Sequence, residues 1–119
     1  MDSTCRFLFV YGTLRKGSSH PMAVFLARQA RFVGEGKTRG RLLDLGSYPG
    51  MVEAASSDDW VDGDVFELID AESTLAALDR YEGCDRANPL YERRHTLVTL
   101  STGVELAAWY YHYCGRRAS

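Results

Sequence analysis

Apolar residues in this chain come in short runs, some unbroken and some alternating, set between glycine-rich and polar stretches. This is the rhythm of strands more than of helices. Phe7 to Tyr11 is an uninterrupted apolar run, the pattern of a strand buried on both faces. It stops at Gly12, where Thr13, Arg15 and Lys16 bring in polarity, and Gly17 closes the segment. After a polar loop, Pro21 suits the first turn of a short helix carrying Met22, Val24, Phe25, Leu26 and Ala27. From Arg31 to Leu45 the apolar pairs are interrupted by Gly34, Gly36 and Gly40, which predicts two short strand pieces with a bend or bulge between them. Pro49 and Gly50 are placed for the centre of a type II turn, after which Met51-Val52 resumes briefly.

Trp60 to Ile69 alternates with neither face wholly polar, the mark of a strand with mixed burial. Asp70 stands where a helix N-cap belongs, and Gly83 where a helix ends, so a second helix is predicted to run to Tyr81 or Glu82. Tyr91 to Leu100 and Val104 to Tyr113 read as a hairpin closed by the three residues Ser101, Thr102 and Gly103. The element order β-α-β-β-β-α-β-β predicts an α+β domain with a mixed or mainly antiparallel sheet. The glycines between positions 34 and 40 allow that sheet to curl towards a barrel.

Composition narrows the functional classes. The 119 residues make one domain, 1–119, of ordinary soluble type, with 45% hydrophobic and 25% charged residues. A net charge of −2 gives no footprint for nucleic acid or an acidic membrane. No apolar run approaches the roughly 18 residues of a membrane span, and no basic segment precedes the first strand as a signal peptide would require. Cys5, Cys84 and Cys114 are an odd, widely spaced set, which fits reduced thiols in a cytoplasmic protein. His20, His95 and His112 lack metal-ligand spacing, so no metal is expected.

Two features suggest chemistry. A glycine directly after a buried strand marks either a sharp, donor-rich turn able to hold an oxyanion or an ordinary loop. On the second helix, Leu75, Leu78 and Glu82 share one stripe at i, i+3 and i+7. A carboxylate on a buried stripe loses water, gains proton affinity and becomes a candidate general acid/base near neutral pH. The alternative is a terminal helical residue that swings into solvent.

Tyr11-Gly12-Thr13-Leu14 and, some way downstream, Leu78-Asp79-Arg80-Tyr81-Glu82-Gly83 resemble the two signature motifs of the γ-glutamylcyclotransferase-like (AIG2-like) family. Tyr48-Pro49-Gly50-Met51-Val52, Val61 to Phe66, Tyr91-Glu92-Arg93 and Ala108 to Tyr111 fit the same pattern in the same order, across nearly the whole chain. The resemblance implies a small curled, barrel-like mixed sheet with two main helices. It implies an enzyme that cyclises a γ-glutamyl amide by intramolecular aminolysis, releasing 5-oxoproline and an amine or amino acid. That cyclisation needs no cofactor, because the nucleophile is tethered. Glu82 would be the catalytic acid/base. Tyr11, Gly12, Thr13 and Leu14 would contact the substrate. Tyr111 would line the pocket or belong to the core. A small γ-glutamyl molecule would be the partner of a monomer acting without nucleic acid or membrane. Many members carry an asparagine, often followed by histidine, shortly after the first motif; here Ser18-Ser19-His20-Pro21 stands in its place. Two rivals remain: a non-catalytic metabolite-binding domain of the same fold, and a thiol enzyme using Cys84, which the C-terminal end of a helix disfavours.

Overall fold

The computed structural model of the protein describes residues 5–12, 15, 20–44, 49–82, 84 and 90–114. Its elements in chain order are β1 (Phe7–Val10), α1 (Pro21–Gln29), β2 (Ala30–Arg39), β3 (Arg41–Asp44), β4 (Pro49–Val52), β5 (Trp60–Leu68), α2 (Ala71–Glu82), β6 (Tyr91–Leu100) and β7 (Glu105–Tyr113). The spatial order β1-β5-β2-β6-β7 is antiparallel at every joint. It closes on itself where β1 meets β7 in parallel, at Leu8 opposite Trp109. The result is a closed five-stranded mixed barrel. The apolar strand read from Phe7 to Tyr11 is the closing stave, paired on both edges. Its Leu8, Phe9 and Val10 are buried, as the unbroken run requires.

Alternation along the strands builds two cores from one sheet. Phe9, Val61, Val65, Val98, Ala108 and Tyr110 fill the barrel, with Met51 from β4. Leu8, Val10, Phe66, Leu68 and Tyr111 face outwards and are covered by Leu26 of α1 and by Leu75 and Leu78 of α2. Gly63 of β5 is the point of closest approach inside the barrel. A Cβ there would lie 2.3 Å from the Val10 carbonyl oxygen and 2.6 Å from Phe9 Cζ.

Two segments differ from the expectation. The glycine-broken stretch is one ten-residue strand, β2, followed by a short β3, with the break at Gly40. The bulge lies at Val33, where pairing steps from Phe32–Phe66 to Gly34–Val65. Pairing on both edges, to β5 and β6, outweighs the weak strand preference of glycine. Pro49 and Gly50 are not a turn: they begin β4, opposite Asp44 and Leu43. A proline is tolerated there because the first residue of a strand can forgo an N–H. The expected hairpin forms, with Leu100 N–H donating to the Val104 carbonyl at 2.8 Å and Gly103 at φ +96°.

α2 begins after Asp70 and reaches Glu82 as its sequence predicts, while Gly83, the expected stop, lies outside the described residues. The Asp70 side chain accepts from Ser73 N–H at 3.3 Å, and its carbonyl accepts from Thr74 N–H at 3.0 Å. At the other end Cys84 N–H donates to the Asp79 carbonyl at 2.9 Å, a 6→1 bond of the kind that closes a helix. No helix among the described residues is long and apolar enough to cross a membrane.

Candidate active site

β7 has two partners on the same side. Its middle pairs with β1, at Leu8 opposite Trp109. Its end pairs in parallel with β4, at Met51 opposite His112. Between β1 and β4 the sheet forks, and Tyr11 bridges the fork. Its hydroxyl donates to the Tyr111 carbonyl at 2.6 Å and accepts from Met51 N–H at 3.1 Å. Burial holds this phenol protonated, so the bridge is permanent across the physiological range.

Gly12 follows directly, at φ +70°. Its carbonyl accepts from Arg15 N–H at 3.3 Å, and its positive φ is one that glycine adopts without strain. A Cβ at Gly12 would sit 2.9 Å from Pro49 Cγ. The turn therefore presses against the first residue of β4. Pro49 is held from its other side by Tyr91, whose hydroxyl donates to the Pro49 carbonyl at 3.1 Å. Arg15 returns to the barrel to pair with Asp64 of β5 at 3.1 Å, where Asp64 is only 3% exposed.

Glu82 lies at the last turn of α2, one turn beyond the fully buried Leu78. It is half-buried and, among the described residues, has no hydrogen-bond or ion-pair partner. Loss of water with nothing in return raises its carboxyl from an ordinary 4.5 to about 7. Its charge reaches Tyr11, whose proton it helps to hold. Its burial is what the stripe of Leu75, Leu78 and Glu82 predicted.

The other acid of this helix is treated in the opposite way. Asp79 receives a two-pronged contact from Arg93 of β6, at 2.8 and 3.0 Å, and a hydrogen bond from Tyr111 at 2.7 Å. The Arg93 guanidinium also lies over the Trp109 ring, 4.2 Å from its centroid. Asp79 is therefore a fixed, fully compensated anion that fastens α2 to β6 and β7. Glu82, one turn on, keeps its proton-binding capacity unspent. Of these two carboxyls one is satisfied by its partners and the other is not, and burial raises the proton affinity of the second.

Of the residues singled out in the sequence, Tyr11 is joined to Tyr111 by a hydrogen bond, Gly12 abuts Pro49, and Glu82 stands at the end of α2. Thr13 and Leu14 lie outside the described residues. Tyr111 is 4% exposed, with its hydroxyl given to Asp79 and its carbonyl to Tyr11. Cys84 follows Glu82 closely, but burial and the charges of Asp79 and Glu82 raise its thiol to about 11, which keeps it protonated and a poor nucleophile. Sequence reasoning missed Pro49, Tyr91, Arg93 and Asp79 as the frame of the site. The signal for the last pair was present: an acid beside a buried helical stripe and an arginine in a half-apolar strand each need a partner. Among the described residues no three His, Cys, Asp or Glu side chains converge as a metal site would need.

Comparison with known proteins bears on the whole chain. The model of the γ-glutamyl cyclotransferase, AIG2-like family matches residues 8–119. A Vibrio cholerae protein provisionally named a γ-glutamylcyclotransferase is 39% identical over 108 residues, covering 89% of this chain and 80% of its own. A Methanocaldococcus jannaschii protein of the same provisional name is 34% identical over 114 residues, covering 92% and 88%. The crystal structure of an AIG2-like protein from Mus musculus superposes with a TM-score of 0.75 at 23% identity, over 97% of this chain and 81% of that one, a likeness of fold.

Proposed function

Since the chain belongs to the γ-glutamyl cyclotransferase, AIG2-like family, we propose that it is a γ-glutamylcyclotransferase using Glu82 as its general acid/base. The substrate is a γ-glutamyl amide, and the products are 5-oxoproline and a free amine or amino acid. The observation that carries this reading is the unpartnered, half-buried Glu82 carboxyl, raised to about 7, whose charge reaches the Tyr11 phenol.

The reaction asks little of the protein beyond position and proton transfer. The substrate's own α-amine attacks its γ-carbonyl carbon, a C–N bond forms to close the five-membered ring, and the C–N bond to the departing amine breaks. Nucleophile and electrophile sit in one molecule, so holding the chain curled supplies most of the proximity the reaction needs. The amine loses a proton as it attacks and the leaving nitrogen gains one as it departs. A single carboxyl can do both in turn, provided its proton affinity lies near the working pH. At about 7, Glu82 is ionised in a large fraction of molecules and ready to accept. Backbone N–H groups from Tyr11 to Leu14 hold a substrate oxygen, stabilising the charge that develops on the γ-carbonyl. Tyr11 itself contributes its backbone, because its hydroxyl is committed to Tyr111 and Met51.

The test is incubation of the purified protein with a panel of γ-glutamyl amino acids, γ-glutamyl amines and larger γ-glutamyl conjugates, with 5-oxoproline measured in each. Release from at least one member is expected. Absence of 5-oxoproline from every member would remove the assignment.

A further inference from the structure

His20 lies in Ser18-Ser19-His20-Pro21, where this chain departs from the family pattern, and it connects α1 to the residue that precedes Glu82 in α2. On one side it caps α1: Met22 N–H donates to His20 Nδ1 at 3.1 Å, while the His20 carbonyl accepts from Ala23 and Val24 N–H at 2.9 and 3.1 Å. On the other side His20 Nε2 lies 2.9 Å from the Tyr81 hydroxyl, with the rings edge to face at 5.5 Å between centroids. The cap fixes the tautomer. Nδ1 must offer a lone pair to Met22, so the proton of the neutral ring sits on Nε2 and is donated to Tyr81. Tyr81 directly precedes Glu82 in the last turn of α2, where a helix frays most readily.

Resting on the proposed cyclotransferase reading, we infer that His20 is a positioning residue that clamps the last turn of α2 through Tyr81 and so fixes the placement of the Glu82 carboxyl. The Tyr81 ring is 45% exposed and, among the described residues, joins neither core, while its hydroxyl and ring both meet His20. Asp79 is fastened to Arg93 and Tyr111 one turn earlier, so α2 is held at Asp79 by the barrel and at Tyr81 by α1, with Glu82 just beyond the second hold. The charge of Glu82 reaches Tyr11 from β1, Tyr81 on its own helix and Cys84 after it. None of these donates to Glu82, so the carboxyl depends on the helix end for its orientation. A small displacement of a catalytic group costs rate more than affinity.

Tyr81→Phe removes only the hydroxyl. His20→Asn keeps a side-chain oxygen able to cap α1 but is too short to reach Tyr81. The experiment measures kcat, KM and melting temperature for both variants and for the pair combined. It also follows the titration of the Glu82 carboxyl by ¹³C NMR, its signal identified by its absence in Glu82→Gln. Each single variant should lose about tenfold in kcat, with KM within about twofold and melting nearly unchanged. The double variant should be no worse than the poorer single, because both remove one bond. The Glu82 midpoint should fall from near 7 towards 4.5 in each as the freed turn lets water in. Wild-type kcat and an unmoved midpoint in both singles would overturn the clamp, as would losses that multiply in the double variant. If the wild-type protein releases no 5-oxoproline yet the midpoint still falls in both variants, the clamp stands and the reaction assignment fails.

Discussion

At the scale of single residues, the site turns on how two neighbouring acids are treated. Glu82 has a raised proton affinity in the folded protein and an ordinary one in the unfolded chain. Folded molecules therefore bind more protons than unfolded ones between 4.5 and about 7. The stability associated with this group is fully present below 4.5 and is lost as pH rises through about 7. Glu82→Gln removes that slope. In urea unfolding the wild type should weaken relative to Glu82→Gln by about 1–3 kcal/mol between pH 4.5 and 8, and a constant gap across this range would show that Glu82 is not desolvated. Cys84 supplies a second check. Its thiol, raised to about 11, stays protonated at neutral pH, so Cys84→Ser should keep 5-oxoproline release within about twofold. A loss beyond tenfold with normal melting would restore the thiol reading. Glu82 was legible from the sequence because helical spacing places it on the stripe of Leu75 and Leu78. The role of Tyr11 was only half legible. A tyrosine ending an apolar strand announces a buried ring, but its hydroxyl partners, Met51 and Tyr111, are 40 and 100 residues away.

At the scale of elements, the site is a fork between strands, braced by side chains from the stretches that stood out in the sequence. Tyr11 ties β1 to β4 and β7, Tyr91 holds the start of β4, and Arg93 and Tyr111 fasten α2. Tyr11→Phe keeps the ring but orphans the Tyr111 carbonyl and the Met51 N–H. The expected cost is about 2–4 kcal/mol, seen as a melting temperature roughly 10 °C lower, with reduced turnover in the molecules that remain folded. A Tyr11→Phe protein that melts like the wild type would mean the fork does not depend on this bridge. The helix boundaries and the β6–β7 hairpin could be read locally, because caps and turn glycines act over a few residues. β4 could not. Pro49-Gly50 has strong turn chemistry, and only pairing with the distant β3 and β7 makes it a strand.

At the scale of the whole molecule, closure of the barrel sets β1, and with it the Tyr11-Gly12 corner, against β7. The curl was foreseeable from glycines between 34 and 40. The parallel joint of β1 with β7 was not, since it links residues about a hundred apart. Gly63 tests closure directly. A methyl group there would meet the Val10 carbonyl at 2.3 Å and Phe9 at 2.6 Å, whereas one at Gly34 would meet nothing within 4 Å. Gly63→Ala should cost more than about 3 kcal/mol or abolish a cooperative melt, and Gly34→Ala should stay within about 1 kcal/mol of wild type. Equal tolerance of both would contradict the tight β1–β5 seam. The central claim, that this barrel presents Glu82 to a γ-glutamyl substrate as its acid/base, rests most directly on one comparison. Wild type and Glu82→Gln are assayed for 5-oxoproline release on the best γ-glutamyl substrate, with melting curves alongside. The account predicts a Glu82→Gln protein that melts at or slightly above wild type and turns over roughly 10²–10⁴-fold more slowly; a variant that melts normally and turns over within a few-fold of wild type would contradict it.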